Sequence, residues 1–165
     1  MLSIEETFIL VQEMLPISGL KLASGVPSDV RGVSDVDISL IHLKPDELLE
    51  LMPEGTAQKQ RNKLSYLAWG YQFTLANRWI NLTASTSNQV YNAVKHRELE
   101  LELIHRYPRF RASVIDLKKN TIWGTEKCWC YVLGLEGNEY ELMLNRELIL
   151  ERAKHKIMSL SEEVL

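Results

Sequence analysis

The sequence has few cysteines, and this scarcity excludes two classes of small protein. Only Cys128 and Cys130 occur among the 165 residues. They are too close along the chain for an ordinary disulfide and too few for a structural zinc site. The chain is therefore neither a disulfide scaffold nor a zinc finger, and we expect two reduced thiols that serve as small core residues.

The chain also lacks the apolar segments of membrane and secreted proteins. No run approaches the roughly 20 apolar residues that span a bilayer, and no secretory signal pattern opens the sequence. We expect no membrane partner and a cytoplasmic location. A bacterial protein exported by a specialised secretion system would have the same properties, so that alternative stays open.

An excess of basic residues is missing as well. Nineteen Lys and Arg residues against 22 Asp and Glu residues give a formal net charge of −3. A protein that wraps nucleic acid must neutralise several phosphates, so we expect no extended nucleic-acid binding. What is present is the 45% hydrophobic and 25% charged content of a globular protein. We predict a single domain over 1–165, with a sheet-containing core at 1–86 and a mainly helical part at 87–165.

Apolar periodicity and turn residues predict an α/β fold of the α+β kind, with a small mixed sheet, helices packed on it and a helical C-terminal half. Val36, Ile38 and Leu40 alternate with polar residues, as in a half-buried strand. The predicted strands are 19–23, 35–43, 71–75 and 78–84, with a hairpin turn at 76–77. The predicted helices are 3–15, 45–53, 57–69, a long helix from residue 87, 109–119, 125–133 and 138–158.

Two aspartates on the second predicted strand suggest a metal site. Asp35 and Asp37 are two residues apart, so they leave the same face with Cα atoms about 6.5 to 7 Å apart. Mg²⁺ takes few carboxylates and fills its other positions with water and phosphate oxygens. The Gly- and Ser-containing turn before the strand could direct backbone N–H groups at a triphosphate. An exposed polar strand face after a plain connector is the alternative interpretation.

The order of helix, strand, Gly/Ser turn and Asp-x-Asp strand resembles the nucleotidyltransferase superfamily. Its usual pattern is Gly-Ser, a short link with arginine and glycine, and then Ser-Asp-x-Asp. The residues that carry the resemblance are Gly25 or Ser28 for the Gly-Ser element, followed by Arg31, Gly32, Ser34, Asp35 and Asp37.

Later segments are similar to the GrpB-like branch of that superfamily, and the resemblance extends from Gly19 to Lys118. The segments are 67–71 before a hairpin, 95–99, and 107–118. The resemblance implies a nucleotidyltransferase fold and Mg²⁺-dependent transfer of a nucleotidyl group from a nucleoside triphosphate to a small-molecule or protein acceptor. Asp35 and Asp37 would be the catalytic metal ligands, and the nucleotide-binding residues would be Gly25, Ser28, Arg31, Gly32 and Ser34. The implied substrate contacts are Asn81, His96, Arg97 and Lys118.

The third acid of this family is not evident in the sequence. Active members usually carry another carboxylate on a later strand that faces the pair, and the candidate strand has Asn81 and Thr83 instead. An amide can offer a metal one oxygen, but it cannot serve as a general base. A non-catalytic module of the same fold, which binds a ligand or a protein, is therefore the alternative function. A plain scaffold or oligomer subunit is a third.

Several polar residues of the second half have simpler interpretations. The segment around His96 and Arg97 is also typical of a solvated helix face, and the alternating acids Glu98, Glu100 and Glu102 are expected on the surface. Thr125 is expected to cap a helix near Lys118.

Overall fold

The computed structural model describes residues 2–23, 35–63 and 66–164, and for 61–63, 66–67 and 161–164 it describes the backbone alone. The described residues form two compact units, the first of residues 2–23 and 35–94 and the second of residues 95–164. The single-domain expectation stays a prediction. Within the described ranges, no helix combines the length and the apolar character needed to cross a membrane.

The first unit contains a five-stranded mixed sheet, and the predicted α+β class is confirmed. Strand β2 pairs in parallel with β5, and the other neighbours are antiparallel, in the order β1-β2-β5-β4-β3. The elements in chain order are α1 (Ile4–Met14), β1 (Lys21–Leu22), β2 (Val36–Ile41), α2 (Pro45–Glu50), β3 (Ala57–Lys63), β4 (Tyr66–Leu75) and β5 (Arg78–Ser85).

One face of this sheet is apolar and carries the core. Successive side chains of a strand point to opposite faces, so the alternation along β2 sends Val36 and Ile38 inward and Asp37 outward. The inward residues of β2, β4 and β5 pack with apolar residues of α1 and α2. The opposite face therefore carries the polar residues of the same strands.

A capping box and a buried arginine fasten α1. The Ser3 hydroxyl accepts from the backbone N–H of Glu6, and the Glu6 carboxylate accepts from the backbone N–H of Ser3. The guanidinium of Arg78, which is 3% exposed, donates to the Leu2 carbonyl at 3.2 and 2.8 Å. The start of α1 is thereby tied to the start of β5.

A two-residue turn at Ala76 and Asn77 joins β4 to β5, as predicted. Both residues adopt the left-handed region, with φ of 51° and 63°. A two-residue hairpin turn with two positive φ values matches the right-handed twist of the strands. The turn fixes the register, in which Leu75 pairs with Arg78 and Gln72 pairs with Asn81.

The predicted helix over 57–69 is wrong. Residues Ala57–Lys63 form β3, and residues 66–69 belong to β4, with which β3 pairs antiparallel. The segment consists of Ala, Gln, Lys, Arg and Asn, which favour helices over strands. Antiparallel pairing with β4 along the whole of β3 overrides that preference, because tertiary contacts can outweigh intrinsic propensity.

The second unit is helical, as predicted for the C-terminal part. It contains the end of α3 (Ser87–Arg106), then α4 (Arg109–Asn120), α5 (Thr125–Leu133), α6 (Glu139–Leu142) and α7 (Arg146–Val164). Trp129, Cys128 and Cys130 lie in its apolar core, which confirms the expected core role of the two free thiols.

The predicted continuous helix over 138–158 is also wrong, because the chain begins two helices there. The Asn138 side chain accepts from the backbone N–H of Glu141 and caps α6. The Asn145 side chain accepts from the backbone N–H of Leu148 and does the same at the start of α7. Each asparagine favours a helix start over helix continuation.

Candidate functional site

The polar face of the sheet brings Asp35 and Asp37 together with Asn81 and Gln72. The register of the sheet places Asp37 of β2, Asn81 of β5 and Gln72 of β4 side by side on three neighbouring strands. Asp35 directly precedes β2, and the two aspartates and Gln72 are exposed, while Asn81 is half-buried. We call these four residues the polar row.

Asn81 is hydrogen-bonded to all three other members of the polar row. Its Nδ2 donates to Asp35 Oδ2 at 3.1 Å and to Asp37 Oδ1 at 3.3 Å. Its Oδ1 accepts from Gln72 Nε2 at 3.0 Å. The amide group thus uses both hydrogens on the carboxylates and its oxygen on the neighbouring glutamine.

The hydrogen bonds of the Asn81 amide reduce the repulsion between the negative charges of Asp35 and Asp37. Two carboxylates on one strand face repel each other, and a third carboxylate at the position of Asn81 would add to that repulsion. The amide instead places two positively polarised hydrogens between Asp35 and Asp37. Hydrogen bonds to charged groups contribute more to stability than hydrogen bonds between neutral groups. A carboxylate at position 81 could not donate them.

The donor set can accommodate a divalent cation after one rotation. Two carboxylates and one amide oxygen are oxygen donors of the kind that Mg²⁺ accepts. The Asn81 amide would have to rotate by about 180° so that its oxygen replaces its nitrogen beside the aspartates. In the parts of the chain that the structure describes, no group of three His, Cys, Asp or Glu side chains could hold a metal ion.

An aromatic side chain lies next to the polar row. Trp79 precedes Asn81 by two positions on β5, so it leaves the same face, and it is 51% exposed. Its antiparallel partner on β4 is the exposed Thr74. An exposed indole beside oxygen donors can stack on a planar ring, a property that the sequence did not single out.

The phosphate-binding turn of the sequence prediction lies outside the described residues. This applies to all five predicted nucleotide-binding residues, which are Gly25, Ser28, Arg31, Gly32 and Ser34. Their role stays a prediction.

The remaining predicted contacts belong to the second unit and have local partners. His96 is 6% exposed, so the expectation of a solvated helix face is wrong there, while Arg97 beside it is half-buried. Lys118 Nζ donates to Thr125 Oγ1 at 2.8 Å. Thr125 is the first residue of α5 and Gly124 is its N-cap, so the predicted capping role of Thr125 is also wrong.

The three alternating acids of α3 differ from one another. Glu98 is exposed as expected, but Glu100 is 4% exposed, which corrects the prediction of a surface charge. Glu102 forms ion pairs with Arg106 and with Arg146 of α7. The arginine pairs hold the pKa of Glu102 below its usual range, chiefly through the Arg146 hydrogen bond.

Sequence reasoning missed Gln72, although a signal for it exists. A two-residue turn at 76–77 fixes the hairpin register, and counting back from the turn places Gln72 opposite Asn81. His96 offered no such signal, because its partners Glu126 and Tyr140 are distant in sequence.

No family model, no curated protein and no solved structure matches this chain. The candidate site therefore rests on its own geometry.

Proposed function

We propose that this protein is a non-catalytic binding module of the nucleotidyltransferase type, which binds a nucleoside triphosphate with Mg²⁺ at Asp35 and Asp37. The observation that carries the proposal is the position of Asn81, whose amide nitrogen donates to both aspartates. After the rotation described above, the amide oxygen could serve as a cation ligand, but the amide supplies no general base for a transfer reaction.

The proposal assigns each member of the site a task. Asp35 and Asp37 hold the cation together with phosphate oxygens, and Trp79 stacks on the base of the nucleotide. The exposure of Trp79 on the same face supports this second contact. The proposal includes a cytoplasmic location, which two buried, reduced cysteines support.

A titration of the protein with Mg²⁺ and with each of the four nucleoside triphosphates tests the proposal. We expect nucleotide binding that depends on Mg²⁺ and is lost in Asp37→Asn, which keeps the shape of the side chain and removes its charge. Asp46→Asn, the same change at an exposed position of α2 outside the polar row, should bind like the unmodified protein. Equal binding by Asp37→Asn, or no binding by the unmodified protein, would contradict the proposal.

A second candidate is an active Mg²⁺-dependent nucleotidyltransferase that modifies a small molecule or a protein. The parallel register of β2 and β5 favours it, because Asn81 lies beside Asp37 where the family resemblance implies the third ligand. In that case the base that accepts the hydroxyl proton must come from outside the polar row. Mass spectrometry of reactions with nucleotide and candidate acceptors separates the two functions, since only the second releases pyrophosphate.

A further inference from the structure

His96 of the second unit is buried between two hydrogen-bond acceptors. Its ring is 6% exposed and lies on α3. Its Nε2 lies 3.1 Å from the backbone carbonyl oxygen of Tyr140, and its Nδ1 lies 3.3 Å from Glu126 Oε1. A carbonyl oxygen has no proton to give, so Nε2 must be the donor in the first contact.

The second contact then requires one more proton. A neutral ring with its hydrogen on Nε2 presents a lone pair at Nδ1, which would face a carboxylate oxygen. Either the ring or the carboxyl group must carry the missing proton. The hydrogen bond from His96 is the largest of the influences that hold the pKa of Glu126 below its ordinary value. With Glu126 ionised, both contacts can be hydrogen bonds only when the ring carries a proton on each nitrogen.

Charged and titratable groups from each neighbouring helix surround this pair. On α4, Lys118 is near enough to Glu126 to lower the pKa of that carboxyl further, and as a cation it opposes a charge on the ring. On α3, the buried Glu100 lies one turn after His96 on the same side of the helix. On α6, the Tyr140 ring meets the imidazole edge to face, with centroids 4.7 Å apart.

We propose that His96 is a pH-sensitive latch, which in its doubly protonated form fastens both α5 and α6 to α3. A neutral imidazole has one N–H and can keep one of the two contacts. It keeps the carboxylate of Glu126, since charge-assisted hydrogen bonds are the stronger ones. It releases the carbonyl of Tyr140. Helix α6 has four residues and none of them is buried, so the loss of this hydrogen bond weakens its attachment.

Nuclear magnetic resonance of the full chain tests the latch directly. Long-range proton–nitrogen spectra report whether each ring nitrogen of His96 is protonated, and amide exchange reports the opening of α6. As the pH rises through the range in which imidazoles lose their second proton, we expect the hydrogen-bonded amides of Glu141, Leu142 and Met143 to lose about tenfold in protection, after correction for intrinsic exchange. A singly protonated ring at pH 5, or protection that does not follow the ring titration, overturns the proposal.

Two substitutions give a matched comparison. In Glu126→Gln the side-chain amide can donate to the Nδ1 lone pair, so the neutral ring keeps both contacts and the protection of α6 should no longer depend on the ring titration. Glu136→Gln makes the same change of charge at an exposed position between α5 and α6, and should retain the pH dependence. Loss of the pH dependence in both variants, or its persistence in Glu126→Gln, overturns the proposal.

Discussion

Replacing Asn81 by aspartate tests whether the hydrogen bonds of the Asn81 amide offset the repulsion between Asp35 and Asp37. In Asn81→Asp a carboxylate oxygen would replace Nδ2, which lies 3.1 Å from Asp35 Oδ2 and 3.3 Å from Asp37 Oδ1. At those distances each pair of charges repels by about 1.3 kcal/mol in a water-like dielectric. The variant also loses two charge-assisted hydrogen bonds.

The expected cost for Asn81→Asp is about 2–4 kcal/mol at neutral pH and low salt, since the side chains can rotate apart and screening reduces the sum. This corresponds to a decrease in Tm of about 5–10 °C. The loss should shrink as the pH falls and carboxylates take up protons. It should also shrink when Mg²⁺ or Ca²⁺ is added, because three carboxylates attract a divalent cation more strongly than two.

Thermal unfolding across pH, with and without cation, provides the measurement. The matched control is Thr74→Asp, which adds the same charge on the same face at an exposed position outside the polar row. A variant Asn81→Asp that is as stable as Thr74→Asp would refute the reasoning. So would a destabilised variant that neither acid nor divalent cations restore.

Three further predictions concern single side chains. In Gln72→Glu the new carboxylate can only accept from Asn81, so the Asn81 amide should rotate and turn its oxygen toward the aspartates. Calorimetry should then find Mg²⁺ binding several-fold tighter than in Thr74→Glu. Equal affinities would show that Gln72 does not orient the amide. Trp79→Ala should weaken nucleotide binding about 5- to 150-fold and leave Mg²⁺ binding unchanged, and an unchanged nucleotide affinity would exclude base stacking. The pKa of Glu126 is lowered chiefly by its hydrogen bond with His96, so its contribution to stability is present above the ordinary glutamate value and disappears as the pH falls through the lowered one. Glu126→Gln should therefore make the free energy of unfolding depend less steeply on pH in the acidic range. A dependence as steep as that of the unmodified protein would contradict this.

Local sequence patterns predicted the elements in which the intrinsic preference of the residues and the tertiary contacts favour the same structure. The alternation along β2 and the turn at Ala76 and Asn77 are local features, and each appears in the structure. Apolar periodicity and turn residues also predicted the mixed sheet and the helical second half.

The remaining features depend on contacts between distant parts of the chain. The pairing of β3 with β4 overrides helix propensity. The break between α6 and α7 is an exception, because its cap at Asn145 is a local signal that the sequence prediction missed. The burial of His96 requires Glu126 and Tyr140, which lie 30 and 44 residues further along the chain. A single sequence gives no periodic signal for such contacts.

The candidate site was partly predictable for the same reason. Asp35, Asp37 and Asn81 follow from strand periodicity and from the expected position of a third ligand. Gln72 follows only when the hairpin register is counted, and Trp79 only when the exposed face is known.

The polar composition of β3 has a consequence for how copies of this chain behave in concentrated solution. An outer strand presents unpaired backbone groups to which a strand of another copy can attach. In β3 the side chains of Lys59 and Gln60 are exposed, and a lysine at an edge discourages such pairing. The residues that made this segment look helical are thus the ones that oppose aggregation. A valine-rich β3 would be easier to predict as a strand and more prone to pair with the edge strand of another copy.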